Sequence, residues 1–187
     1  MNGKAISPSI SEWPGDAREA AQLVVDQYGE PDEVSASQVV WHKPGPWKRI
    51  VATREVHDHN FPAPHLDSVE SVIDYRFPAD KARDAYLFDG SVVIDRTRGE
   101  VSARCHDEQA NFLALNLMHD IATGAKTMRQ ARDYYAKEFL DYRRKKPTPY
   151  MEKLRFTPPR GGTADPDERA LTDEALQRAV DEGKRGG

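Results

Sequence analysis

From Gln38 to Cys105 the apolar residues recur at alternate positions, and the runs are separated by turns or by one short helical stretch. Period-two alternation marks half-buried strands, and parallel pairing would need a crossover of a dozen or more residues between partners. The chain is therefore expected to be α+β, with a mostly antiparallel sheet of about five strands. Gln38 to His42 and Trp47 to Val56 flank Lys43-Pro44-Gly45-Pro46 and read as a hairpin. In Ser68 to Phe77, Val69, Ile73, Tyr75 and Phe77 fall on one face, and Glu70, Asp74 and Arg76 on the other. A second hairpin joins Ser91 to Thr97 with Glu100 to Cys105 through Arg98-Gly99, a two-residue turn that would pair Ile94 with Ala103 and Asp95 with Ser102. This puts Val92, Ile94, Val101, Ala103 and Cys105 on a core face, and Asp95, Thr97, Glu100, Ser102 and Arg104 on a polar one.

Helices are expected on one side of this sheet, leaving the polar side open. Asp16 with Glu19 opens the first, which carries Ala20, Ala21, Val24, Val25 and Tyr28 and stops at Gly29. Pro78 opens a short one to Leu87. Asp107 to Thr123, closed by Gly124, and a last helix opened by Thr127 with Gln130 form a C-terminal αα-hairpin. All 3 Trp, 7 Tyr and 6 Phe lie between Trp13 and Phe156, whereas residues 158–187 are rich in charge and glycine. One domain is expected over residues 1–145, followed by a polar, flexible tail over 146–187 that holds at most a short helix, Asp173 to Asp181, with Leu176, Ala179 and Val180 as its apolar stripe.

Twenty-seven Lys and Arg against 31 Asp and Glu leave a net charge of -4, so neither nucleic acid nor an anionic membrane is an expected partner. A single cysteine, Cys105, excludes a disulfide framework and a zinc site built on paired thiolates. No secretory-type apolar leader opens the sequence and no run approaches the roughly 18 apolar residues of a membrane span, which points to a cytoplasmic protein.

The segment His57-Asp58-His59-Asn60-Phe61-Pro62-Ala63-Pro64-His65-Leu66-Asp67 gathers three of the 6 histidines. In an extended His-x-His both imidazoles project to one side, so His57 and His59 could share a divalent ion, zinc being the natural candidate. His65 or Asp67, returned by the proline bend, would complete the set. On the polar sheet face Asp74, Arg76, Asp95 and Arg104 form a candidate surface for a small polar ligand or a protein partner. Cys105-His106 superficially suggests a thiol nucleophile, but the strand register sends Cys105 to the apolar face. Asn111 and Asn116 in an apolar helix are expected to make structural hydrogen bonds, and Arg143-Arg144-Lys145-Lys146 to complement a helix C-terminus.

The pieces Gly45-Pro46-Trp47-Lys48-Arg49, Phe61-Pro62-Ala63-Pro64-His65, Ser102-Ala103-Arg104-Cys105 and Asn111-Phe112-Leu113-Ala114-Leu115-Asn116-Leu117 resemble those of a family of uncharacterised bacterial proteins, over about residues 17–140. The resemblance implies a bacterial origin and a self-contained domain, and carries over no catalytic residue. The expected function is a non-catalytic cytoplasmic domain that binds a protein partner or a small polar ligand on the open sheet face and the His/Pro-rich loop. The alternative is a divalent-metal-binding protein or metal-dependent hydrolase centred on His57 and His59.

Overall fold

The computed structural model describes residues 6–185; residues 1–5 and 186–187, assigned above to the domain and the tail, lie outside the described residues. The fold is α+β. Six strands, β1 (Glu33–Val34), β2 (Gln38–His42), β3 (Arg49–His59), β4 (His65–Asp74), β5 (Val92–Asp95) and β6 (Glu100–Cys105), form one sheet in the order β1-β2-β3-β4-β6-β5. Every neighbouring pair is antiparallel. The strand beyond the expected five is β1, two residues long and too short to show an alternation.

The last hairpin has its faces as expected but a different register. Ile94 pairs with Val101 and Asp95 with Glu100, because the turn spans Arg96 to Gly99 rather than two residues. A slip of two positions leaves every side chain on its original face.

Helices α1 (Gly15–Tyr28) and α3 (Glu108–Thr123) cover one side of the sheet, with α2 (Ala82–Phe88) and α4 (Met128–Arg143) packed against α3. Pro14, not Asp16, occupies the N-cap of α1, so Asp16 acts within the first turn, where a carboxylate favours the positive end of the helix. Asp107 caps α3, and Thr127 with Gln130 forms a complete capping box on α4. Leu113, Leu115, Leu117 and Met118 are all fully buried, so α3 is enclosed on every side. Its two asparagines lie roughly 140° apart around the axis and serve different neighbours. Asn111 donates to the Val69 carbonyl and Ser71 Oγ in the sheet, both at 3.0 Å. Asn116 donates to the carbonyls of Tyr150 (2.9 Å) and Lys153 (2.8 Å) and accepts from the Arg155 amide (2.7 Å).

Those last bonds overturn the boundary expected at residue 145. A short helix, α5 (Pro149–Glu152), packs on α3 with Met151 buried. Phe156 then stacks on His119 with ring centroids 4.1 Å apart, and Tyr75 reaches His119 Nδ1 at 2.9 Å. Beyond it the Gly161 amide donates to Asp74 (3.0 Å), Thr163 Oγ1 to the Gly99 carbonyl (2.7 Å) and the Asp165 amide to the Arg96 carbonyl (3.1 Å). The chain thus straps the β5–β6 turn, and the domain runs to about residue 165. The strap passes so close that a Cβ on Gly99, whose φ is +66°, would lie 2.2 Å from the Thr163 carbonyl carbon. Gly99→Ala is therefore expected to loosen the strap, read as proteolytic cleavage after Arg160 that the wild type resists. Beyond the strap, α6 (Asp173–Arg185) buries none of its residues, and it is longer than the helix expected from Asp173 to Asp181. Among the described residues no helix is long and apolar enough to cross a membrane.

Candidate metal centre

The His/Pro segment is not a loop. β3 continues through His59 and β4 begins at His65, so only Asn60 to Pro64 form the turn, with a cis Phe61-Pro62 bond. Ala52 pairs with Val69, but the next partners are His57 with Asp67 and His59 with His65. Five steps along β3 thus match two along β4, a bulge of three extra residues. Because three is odd, the side chains of β3 change sides. Arg49 and Val51 face the open side, whereas His57 and His59 join Asp67 and Val69 on the helix side.

One ligand atom each from His59, His65 and Asp67 lie within 4.8 Å of one another. His59 Nδ1 is 3.3 Å from Asp67 Oδ2, and His65 Nε2 is 3.1 Å from Asp67 Oδ1. The second approach is poorly aligned, so His65 Nε2 and Asp67 Oδ1 are both buried without a hydrogen-bond partner. His65 is oriented from behind: its Nδ1 donates to the Ala63 carbonyl at 2.8 Å, which aims Nε2 into the cluster. Ser91 Oγ donates to Asp67 Oδ2 and lies 3.2 Å from His59 Nδ1. Asp89, 3 % exposed, places Oδ1 3.5 Å from His59 Nε2 and accepts the Ser91 amide at 2.9 Å.

Electrostatically this is a buried acid-rich nest. The carboxylate of Asp67, helped by Cys105, holds the His65 imidazolium up to about 11, while burial pushes the Asp89 carboxyl upward. A cation placed between His59, His65 and Asp67 would take over the role of that proton.

His57 does not join the group. It is exposed at the outer end of the paired segment, and the centre shifts one pair toward the turn, to His59 and His65. No local pattern marks Asp89 and Ser91 as ligand partners, because they come from the connection between α2 and β5, where Asp89-Gly90 reads only as a turn. Cys105 is 7 % exposed on the apolar face, and burial raises its thiol despite the neighbouring His65. In the native state a thiol reagent is expected to label Cys105 at least about a hundredfold more slowly than in denaturant. Labelling at the free-thiol rate would show that this face opens readily.

The four residues expected to bind a ligand on the open face do not converge. Asp74 accepts from Lys48 Nζ at 2.6 Å and from the Gly161 amide. Arg76 lies beyond the end of β4, 4.0 Å from Asp165, and Asp95 accepts the Arg98 amide at 3.0 Å within its own turn. Arg104 pairs across the sheet with Glu70, its Nε buried and unpartnered. Between Asp74 and Asp95 sits Glu100, which accepts two bonds from Arg49 (2.9 and 2.6 Å) and lies 2.9 Å from Lys48 Nζ. The charges of this face largely neutralise one another. Arg144 and Lys146, from the basic run, pair with Asp141 at the end of α4.

Compared with protein-family models, with curated proteins and with solved structures, the chain finds no match.

Proposed function

We propose that the protein binds one divalent transition-metal cation, of the zinc class, through His59, His65 and Asp67. What supports this reading is the three-residue donor set itself, whose ligand atoms lie within 4.8 Å of one another, with His65 Nε2 and Asp67 Oδ1 buried 3.1 Å apart and making no aligned hydrogen bond. Two imidazoles and a carboxylate suit zinc, and three protein ligands leave a fourth position for water, while Asp89, on the Nε2 side of His59, would orient that ring. With water there, the centre would have the layout of metal sites that activate a nucleophile. Ser91, bonded to Asp67, would fix the ligating carboxylate. The open face supports a ligand site less well, because Lys48, Arg49 and Asp74 already have partners.

Calorimetric titration of the untagged, chelator-treated full chain with zinc chloride tests this. One equivalent should bind, and His65→Ala or Asp67→Asn should weaken binding at least about a hundredfold, Asp89→Asn by about 10–100-fold, and His57→Ala hardly at all. Absence of zinc binding, or equal loss in His57→Ala, would overturn the assignment.

A further inference from the structure

A cleft of about 610 Å³ lies at the opposite end of β3 from His59, between the β2–β3 turn and the chain following α5. Its volume is that of a small-molecule site. Trp47, Leu154, Phe156 and Pro158 give it an apolar lining, and Lys43, Lys48, Lys153 and Arg160 surround it with four cations. The one carboxylate there, Asp74, is already engaged by Lys48 and by the Gly161 amide. Lys43, Lys153 and Arg160 are exposed and make no ion pair within the described residues. In a chain of net charge -4, this concentration of unpaired cations around apolar walls runs against the overall balance.

We propose that this cleft binds a flat, amphipathic organic anion, an aromatic ring bearing a carboxylate or phosphate. The walls are held in place without it. Trp47 stacks on Phe112 at 4.7 Å and donates its indole N–H to Glu108 at 2.5 Å, and one face of Phe156 is covered by His119. Trp47, 3 % exposed, closes the floor, and a planar body would pack on the uncovered side of Phe156, which needs no reordering on binding. Lys153 and Arg160 stand on the segment that forms one wall, and Lys43 on the facing turn, so the anionic group is met from both sides. Arginine and lysine together accept either a carboxylate or a phosphate.

The test uses the full-length protein and the fluorescent aromatic sulfonate 1-anilinonaphthalene-8-sulfonate as probe. The expected result is saturable binding of one equivalent to the native protein, about tenfold weaker in Lys153→Ala/Arg160→Ala. Both side chains are exposed, so an unchanged melting temperature separates lost binding from lost fold. 2-Naphthoate and an aryl phosphate should compete, and their relative strength tells which anionic group the cleft prefers. The neutral 2-naphthalenemethanol and inorganic phosphate alone should compete far more weakly. Unsaturable binding, binding unchanged in the double variant, equal competition by the neutral alcohol, or full displacement by phosphate alone would each overturn the proposal. Zinc plays no part in the assay, so its outcome is independent of the metal centre.

Discussion

A chain ending at residue 145 is expected to melt at least about 10–20 °C below the full-length protein, whereas a chain ending at residue 170 should melt within a few degrees of it. The shorter cut strips Met151, Leu154 and Phe156 from the outer side of α3. Removing that apolar cover costs about 1.5–3 kcal/mol per large side chain, and a protein of this size loses roughly 2–4 °C per kcal/mol. The three hydrogen bonds of Asn116 to Tyr150, Lys153 and Arg155 go as well, leaving a polar group in the middle of an apolar helix face. The longer chain keeps every one of these contacts, together with the strap bonds at Gly161, Thr163 and Asp165, and lacks only α6, which buries nothing. Ending at residue 157 should fall between the two. Thermal melts of the three chains decide it, and an undiminished melting temperature for the shortest would mean that α5 and the strap merely lie against the domain.

Glu100→Gln is expected to cost about 2–3 kcal/mol at neutral pH, less than for a fully buried ion pair because the Arg49 and Lys48 side chains it leaves behind are 25 % and 39 % exposed. Glu100 is only 6 % exposed, yet it faces the guanidinium of Arg49 through two hydrogen bonds and the ammonium of Lys48. Arg49 foremost, with Lys48, holds its carboxyl down at about 2. A folded-state value below the unfolded one means stability that is fully present above the ordinary carboxylate range and is lost as the pH falls toward 2. The size of the depression corresponds to about 3 kcal/mol. Urea denaturation from pH 7 to pH 2.5 should therefore show the wild type losing its advantage over Glu100→Gln as the pH drops through 4. A gap that stayed constant over that range would assign the loss to packing rather than to charge.

The sheet was legible because its alternation is local: Val69 to Ile73 and Val92 to Cys105 announce their faces residue by residue, and even an error of two in the last hairpin changed no face. The capping residues Asp107, Thr127 and Gln130 and the stop at Gly124 were likewise written within a few positions. The domain boundary was not, since residues 146–157 have neither periodicity nor length, and their order comes from partners far away in sequence, Asn116 and His119. The candidate centre lay between these cases. His59, His65 and Asp67 announced themselves by proximity, but the choice of His59 and His65 over His57 depends on where the turn closes. Asp89 and Ser91 reach the centre from the connection between α2 and β5, a strand that is not a neighbour of β4 in the sheet, so no local pattern links them to Asp67. On the open face, Asp74, Arg76, Asp95 and Arg104 looked like a set because they share a side. Their partners, above all Lys48 and Gly161, came from outside the strands in which they were read.

The three-residue bulge in β3 makes the position of the two histidines a matter of parity. None of the side chains from Thr53 to Val56 belongs to the donor set; Thr53 bonds to the Ser68 carbonyl and Val56 packs on the core. Deleting any one of those residues would turn the inserted number even, and His59 would emerge on the side of Arg49 and Glu100, with the whole sheet between it and Asp67. For the side on which His59 emerges, what this stretch encodes is a number rather than an identity: a one-codon gain or loss reverses it, and a change of two restores it.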